Sequence, residues 1–324
     1  MNNTASTIKK KFDWKRLILN QKMYLIGIII IIIVITTIVN EKFFTVSNLL
    51  NVLQQISVLG IVTMAMAITM ISGGIDLSLG TLMSLMCVVM SILIVEVQTG
   101  VAVAMLVALA IGVTGGALNG FIVSKSRSVP LIITLGTSYV YKGLALVVSG
   151  GHFMPLDEAL EGFNSLKPLG IPTSVYVLVI IVIISYLLLN RTRYGRRLVA
   201  IGGNEENAYL SGIRVIGYKI SIYTISGIFY FIAAFVMAAR QNSVTAAMGD
   251  NYALEALAAA VVGGITFEGG KGSVGGAVIG CVLLGLISNS MNMIRVSPHL
   301  QTAVMGVIIV VAVVISNIGK IRKK

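Results

Sequence analysis

Long uninterrupted runs of apolar residues constrain this chain more than any other feature of its sequence. The runs fall at 23–40, 56–72, 78–95, 101–124, 131–149, 174–190, 218–239, 253–265, 273–293 and 299–317. A helix needs about 20 mainly apolar residues to cross a hydrocarbon layer of about 30 Å. Only 11% of the residues are charged, against roughly 25% in an ordinary soluble domain. We therefore predict an all-α membrane protein with about ten transmembrane helices.

The basic residues mark the ends of the predicted spans. Most of the 24 lysines and arginines lie in 1–22, beside Lys125, in 191–219 and in the last seven residues. Ten spans would place all of these clusters on one side, and positive residues are retained on the cytoplasmic side. The formal charge of +12 therefore indicates topology, with the bilayer as partner, and not a nucleic-acid partner. The predicted regions are a basic cytoplasmic N-terminus at 1–22, a transmembrane domain at 23–317 and a basic cytoplasmic tail at 318–324.

Glycine is abundant for a helical protein, with 34 residues in the chain. In lipid no hydrophobic force draws helices together, so small residues that permit close approach take over that role. We predict a glycine-rich bundle in which some helices are broken. Whether 73–80 and 253–272 are re-entrant stays open at this point, as does the meaning of the Gly-Gly-Ile sequence that occurs in both.

The segment 73–80 places Asp76 between two long apolar runs, flanked by glycines and a serine. A carboxylate inside a membrane is costly and usually faces a cavity or a partner. These features fit an element that lines a polar path. The alternative is that Asp76 caps a helix starting near Leu77, and the two roles are compatible.

Two more ionisable residues fall inside apolar runs. Lys142 lies mid-way along 131–149 and is expected either to pair with Asp76 or Glu255, to bind a solute hydroxyl, or to extend toward the outer interface. Glu255 lies in the short, alanine-rich run 253–265, which is predicted to be a half-span or re-entrant. Both residues are candidates for a translocation path.

The longest polar stretch, 191–219, contains a helix signature. Gly202 and Gly203 precede Asn204, a good capping residue, and two glutamates follow in what would be the first turn. We predict a short helix from about Glu205 to Leu210 that stops at Gly212. A helix held outside the membrane either docks on a soluble partner or is simply a solvated loop helix.

The sequence predicts no catalytic residue, no metal site and no cofactor bound by this chain. His152 and His299 lack the spacing of a metal site. The glycine-rich segment 263–273 fails as a phosphate-binding loop because Ile265 stands where the first glycine belongs and Gly272 where a hydroxyl belongs.

Three motifs in order resemble the permease subunits of sugar ABC importers, the ribose permease family. They are GGIDLSLG at 73–80, GGNEENAYLSGI at 202–213 and ALEALAAAVVGGITFEGGKGSVGGAVIG at 253–280. The resemblance implies a multi-pass protein of the bacterial inner membrane that translocates a monosaccharide, with a ribose-like pentose expected. It also implies a second permease copy, an extracytoplasmic sugar-binding protein, and partner ATPase subunits that bind the ATP and Mg²⁺.

The resemblance also implies roles for individual residues. Those similar to the family's ATPase-coupling loop are Asn204, Glu205, Ala208, Ser211 and Gly212, and those near its translocation path are Gly74, Asp76 and Ser78. Asn207 and Tyr209 depart from the small or charged residues common there, which leaves the identity of the partner ATPase open.

Two other classes of function are alternatives to this one. An ion-coupled secondary transporter would normally carry more ionisable groups inside the membrane. A membrane enzyme acting on lipid would need a nucleophile or a set of metal ligands. The exact solute, and whether the second copy is identical, are not determined by the sequence.

Overall fold

The computed structural model describes residues 21–126 and 128–321, and its regular structure is almost entirely helical. The helices are α1 (Gln21–Val39), α2 (Val46–Ile71), α3 (Leu79–Ser91), α4 (Val101–Ser126), α5 (Pro130–Ser149), α6 (Glu161–Ser165), α7 (Thr173–Arg191), α8 (Arg193–Gly203), α9 (Glu205–Leu210), α10 (Val215–Gln241), α11 (Tyr252–Val262), α12 (Val274–Met293) and α13 (Pro298–Ile321). A π-helical turn, Ile92–Glu96, extends α3, and 3₁₀ turns occur at Glu41–Phe44 and Pro168–Gly170. Two short strands, β1 (Met154–Pro155) and β2 (Ser243–Val244), pair antiparallel. Most of the basic residues expected at the two termini, and Arg127, lie outside the described residues.

Seven helices in the described part of the chain are long and apolar enough to cross a membrane. They are α2, α3 with its π-helical turn, α4, α5, α7, α10 and α12. Shorter apolar helices occupy the other three apolar runs, at Met23–Val39, Tyr252–Val262 and Pro298–Val311. The predicted all-α membrane fold is confirmed, and each of the apolar runs contains a helix.

Helix α2 forms the centre of the bundle. Every residue from Ile56 to Ile71 is buried, and α2 packs against α7, α10, α11 and α12. A helix that is apolar all round belongs in such a position. The C-terminal end of α2 leads directly into the segment 73–78.

Glycines set the closest approaches between helices, as predicted. In the α4–α10 pair, a methyl group on Gly227 would lie 2.0 Å from the carbonyl oxygen of Gly112. In the α11–α12 pair, a methyl group on Gly280 would lie 2.0 Å from the carbonyl oxygen of Ala259. Such backbone contact gains dispersion energy that lipid-facing side chains cannot supply.

Helix α11 is much shorter than a span. Its 11 residues extend about 16 Å at 1.5 Å per residue, roughly half of a hydrocarbon layer of about 30 Å. Turns at 245–251 lead into it and the non-helical segment 263–273 follows it. The run 253–265 therefore contains a half-length helix, which agrees with the half-span that the sequence analysis gave as one alternative.

One end of the bundle gathers the polar loops. A methyl group on Gly120, near the end of α4, would lie 2.8 Å from Ile220 Cα, near the start of α10. A methyl group on Gly270 would lie 2.7 Å from Gly203 Cα. The end of α4, the start of α10, α8, α9 and the segment 263–273 therefore share one end of the molecule, which we refer to as the α9 end.

Replacing Gly227 with alanine is expected to destabilise the protein, because the new methyl group has no space against α4. Overpacking of this kind typically costs about 1–3 kcal/mol. The matched control is Gly136→Ala, since a methyl group there meets nothing within 4 Å. The melting temperatures of both variants are measured in detergent, with unfolding monitored by size-exclusion chromatography. Equal melting temperatures for the two variants would contradict this account of the packing.

Candidate functional site

The segment 73–78 is a tightly bonded turn between α2 and α3. The backbone amide of Leu77 donates to Thr134 Oγ1 at 3.1 Å, and the Thr134 hydroxyl donates to the carbonyl of Ile75 at 3.1 Å. The Tyr223 hydroxyl donates to that same carbonyl at 3.2 Å. A methyl group on Gly74 would lie 2.8 Å from the Tyr223 hydroxyl oxygen, so a larger residue there would displace the donor of this bond.

Asp76 lies at the centre of a buried polar cluster. Its Oδ1 accepts from the Ser78 amide at 2.9 Å and from the Ser78 hydroxyl at 2.6 Å, while Oδ2 accepts from the Tyr230 hydroxyl at 3.1 Å. Asn119 Nδ2 donates to Ser78 Oγ at 2.7 Å. Asp76, Ser78, Asn119 and Tyr230 all have 0% of their surface exposed. A carboxylate taken out of water needs such donors, since an unpaired buried charge is very costly.

This cluster refines the two roles considered for Asp76. Helix α3 begins at Leu79 with Ser78 in the capping position, so the helix starts two residues later than expected. The bond from the Ser78 amide to the Asp76 side chain is a local turn of the kind that aspartate favours. Gly74, Asp76 and Ser78 are enclosed by protein in this structure, and their role on a translocation path stays a prediction.

Lys142 forms an ion pair with Asp250. This partner was not expected from the sequence, which proposed Asp76 or Glu255. Lys142 lies in the middle of α5, and Asp250 lies in the turns before the half-length helix α11. The two side chains are 37% and 31% exposed. Partly exposed charges at mid-span cannot face hydrocarbon at low cost, so they face water or another protein.

Further polar groups continue from this ion pair. Asn251 is exposed, and Glu255 follows it one turn along α11. Both line a cavity of about 320 Å³ between α11, α12 and α13, together with Ser288, Gln301 and Thr302. We refer to Lys142, Asp250, Asn251 and Glu255 as the polar face. It presents carboxylates, an ammonium and an amide, the groups that hydrogen-bond hydroxyl-rich solutes.

The predicted short helix of the polar stretch is confirmed as α9. The Asn204 side chain accepts from the Asn207 amide at 2.8 Å, and Gly212 ends the element with a φ of +81°. Glu205 pairs with Lys219 of α10. Ala208 is buried in a small cluster with Ile201 and Val215, separate from the main core. The Ser211 hydroxyl donates to the carbonyl of Asn207 at 2.8 Å.

Helices α8, α9 and the start of α10 therefore form one unit with its own core. Tyr194 and Ser221 join α8 to α10 through a hydroxyl–hydroxyl bond of 2.6 Å, and burial raises the pKa of the Tyr194 hydroxyl. On the outside of this unit, Tyr209 and Leu210 are 70% and 75% exposed. These two exposed apolar side chains are adjacent in the sequence and are available for contact with a partner.

Among the described residues, no three histidine, cysteine or carboxylate side chains are close enough together to hold a metal ion.

Comparison with known protein families identifies the family of this chain. Residues 48–313 match the family described as the permease component of the branched-chain amino acid transport system. The chain belongs to this permease family.

Curated relatives of the permease are sugar transport proteins. It is 36% identical over 320 residues to the ribose import permease protein of Escherichia coli strain K12, covering 97% of this chain and 99% of the relative. It is 34% identical over 290 residues to the Bacillus subtilis ribose import permease protein, covering 89% and 90%. It is 32% identical over 290 residues to the D-allose transport system permease protein of Escherichia coli, covering 89% of each chain. No solved structure is significantly similar to the permease.

Asp250 and Asn251 are the residues of the polar face that the sequence analysis missed. Both precede the apolar run 253–265 and therefore resemble loop residues. The length of that run held the missing signal, because an 11-residue helix cannot reach across the bilayer. Since the segment that follows α11 lies at the α9 end, the start of α11 lies within the membrane.

Replacing Tyr230 with phenylalanine is expected to destabilise the permease by about 1–3 kcal/mol, because Asp76 loses a donor that no water can replace. Tyr139→Phe is the matched control, since Tyr139 is 71% exposed. Thermal unfolding in detergent should separate the two variants. If both unfold like the wild type, the Tyr230 bond does not support the buried carboxylate.

Proposed function

We propose that this permease is the membrane-spanning subunit of an ABC importer for a monosaccharide, with a ribose-like pentose as the first solute to test. An extracytoplasmic binding protein would deliver the sugar. Two permease copies would form the path, and partner ATPase subunits would bind ATP and Mg²⁺ and drive transport. The observation that carries this proposal is the capped helix α9, held outside the bundle with Tyr209 and Leu210 exposed, in a chain related to ribose and allose permeases.

The α9 end has the chemistry of a docking site for an ATPase subunit. Beside α9 lies a cavity of about 420 Å³ lined by Arg197, Arg214 and Tyr218 among others. The Arg197 guanidinium donates to the Tyr218 hydroxyl at 2.5 Å. The exposed side chains of Tyr209 and Leu210, next to two guanidinium groups, suit a partner with an apolar groove and acidic side chains. In this proposal Asn204, Ser211 and Gly212 fix the ends of the helix, and Glu205 and Ala208 attach it to the permease.

The distribution of charge supports a cytoplasmic α9 end. The basic residues there are Lys125, Arg191, Arg193, Arg196, Arg197, Arg214, Lys219 and Lys271, against the acidic residues Glu205, Glu206 and Glu268. The loops between α5 and α7, at the opposite end, carry Asp157, Glu158 and Glu161 against Lys167. By the positive-inside rule the α9 end faces the cytoplasm, where ATP is available, and both termini would then be cytoplasmic.

The polar face supplies the proposed path between the two copies. Its charged groups are partly exposed at mid-span in a single chain, which suits a surface turned toward water and a second copy. Asp250, Glu255 and Asn251 can accept hydrogen bonds from sugar hydroxyls, and Lys142 can donate to them. No proton transfer is needed, because ATP hydrolysis in the partner would supply the energy for alternating access.

Leu210→Asp is expected to remove the ATPase subunits from the permease. A charge in the centre of an apolar docking surface typically costs 2 kcal/mol or more, about a 30-fold loss of affinity. Leu169→Asp is the control, since Leu169 is 95% exposed in the 3₁₀ turn at the opposite end. The measurement is intact-complex mass after gentle purification from native membranes.

The wild type and the Leu169→Asp variant should retain two ATPase subunits on two permease copies. Recovery of the wild-type permease alone, with uptake that survives vanadate but not an uncoupler, would replace this proposal with an ion-coupled secondary transporter.

Exchanging the charges of Lys142 and Asp250 tests the path. Lys142→Ala and Asp250→Ala should each reduce uptake at least about tenfold, equivalent to 1.4 kcal/mol in the transport barrier, while the complex stays assembled. The double variant Lys142→Asp with Asp250→Lys should regain thermal stability but not uptake, because the donors and acceptors facing the solute are reversed. Lys167→Ala, in an exposed loop, is the control for loss of a lysine. Full uptake by the exchanged pair would make this ion pair purely structural.

A further inference from the structure

Three segments that are far apart in the sequence meet at the α9 end, mainly through glycine backbone atoms. The first follows α2 at Gly73, the second is the last turn of α8 at Gly202, and the third is the segment 263–273 at Gly269 and Gly270. These glycines belong to the three motifs GGIDLSLG, GGNEENAYLSGI and ALEALAAAVVGGITFEGGKGSVGGAVIG. We refer to this contact as the glycine junction.

Gly202 is the centre of the junction. A methyl group on it would lie 2.0 Å from the carbonyl oxygen of Ile71, 2.6 Å from the Gly270 nitrogen and 3.0 Å from the Gly73 nitrogen. A methyl group on Gly269 would lie 2.8 Å from Gly73 Cα and 2.9 Å from the Gly202 carbonyl oxygen. The obstacles are backbone atoms, so no side chain can rotate away to make room.

One hydrogen bond ties two of the loops directly. The Gly270 amide donates to the carbonyl of Ile71 at 2.8 Å. This carbonyl belongs to the last turn of α2, where helix carbonyls lack partners in the helix itself. The segment 263–273 thus caps the end of the central helix, and Gly202 lies beside that bond.

The junction lies between α9 and the elements of the proposed path. On one side, Gly202 is followed by Gly203 and then by Asn204, the cap of α9. On the other side, Gly73 leads through the Asp76 turn into α3, and the segment 263–273 leads back through the half-length helix α11 to Asp250. The start of α3 also packs directly against the turns before α11. A methyl group on Gly80 of α3 would lie only 2.0 Å from the carbonyl oxygen of Gly249 in those turns.

We propose that the glycine junction is the relay by which movement of α9 reaches the polar face, with Gly202 as its positioning residue. The inference rests on the proposed function, since it assumes that a partner moves α9. Because α8, α9 and the start of α10 share their own small core, a push on α9 displaces Gly202 with it. Gly202 then displaces the turn before α3 and the segment 263–273 together, and α11 carries that displacement to Asp250.

The surroundings allow such movement. A cavity of about 240 Å³ adjoins the junction and is lined by Ile71, Asn190, Gly270 and Ser273 among others. At the junction the segments meet mainly through backbone atoms, with no large side chains interlocked between them. The junction therefore combines direct contact with freedom to shift.

The chain offers a matched pair of variants for the test. Gly202→Ala places a methyl group against three backbone atoms, whereas Gly203→Ala, one residue on, meets nothing within 4 Å. Both are made in the complete transporter, with its ATPase subunits and binding protein, in proteoliposomes. Uptake per ATP hydrolysed should fall at least about tenfold for Gly202→Ala and stay near the wild-type value for Gly203→Ala, while both variants keep their ATPase subunits.

Hydrogen exchange gives a readout that a merely structural role would not move. In the wild type and in Gly203→Ala, trapping the ATPase subunits with ATP and vanadate should change exchange in 73–78 and in 263–273, above all at the Gly270 amide. In Gly202→Ala the trapped and nucleotide-free states should exchange alike in both segments. Normal coupled uptake by Gly202→Ala, or no response to trapping in the wild-type segments, overturns the relay.

Two outcomes keep the relay separable from other failures. If Gly202→Ala does not assemble, the wild-type exchange measurement decides alone: a response in both segments supports the relay, and none overturns it. If the wild-type permease retains no ATPase subunits at all, the proposed function has failed.

Discussion

Contact between glycine backbones is the interaction on which this permease depends. In lipid the burial of apolar side chains does not hold helices together, so close packing and polar contacts have to do so. In the pairs α4–α10 and α11–α12 the helices approach so closely that a Cβ atom on Gly227 or on Gly280 would collide with a carbonyl oxygen of the facing helix, that of Gly112 or Ala259. The same type of contact joins the loops at the glycine junction. One physical device thus serves packing within the membrane and contact between loops at its edge.

A second constraint comes from the buried carboxylate of Asp76. Burial of this group is tolerable because Ser78 and Tyr230 donate to it, and these donors come from a turn and from α10. The cluster therefore fixes the turn after α2 against α10 and, through Asn119, against α4. On its other side, the turn meets Gly202 and Gly269 at Gly73.

Much of this architecture could be predicted from the sequence, for reasons that are local. The apolar runs predict the helices because a span needs a minimum length, and α9 was predicted within its observed bounds because caps and terminal glycines act within a few residues. The pairing of Lys142 with Asp250 could not be predicted, since it depends on the depth at which α11 begins. The glycine junction was equally hidden: each of its three motifs was visible, but nothing local indicates that positions 73, 202 and 269 meet.

Because α11 spans only about half of the bilayer, the proposed relay needs few structural elements. A full-length helix would carry its loops to opposite ends of the bilayer, whereas α11 has one end at the glycine junction and the other beside Asp250 at mid-span. Its contact with α12 is backbone to backbone at Gly280, and the Gly263–Gly276 contact continues it toward the junction. In the proposed relay, a displacement at the segment 263–273 passes along α11 as a rigid helix. It would then reach the turns 245–251, where the polar face begins.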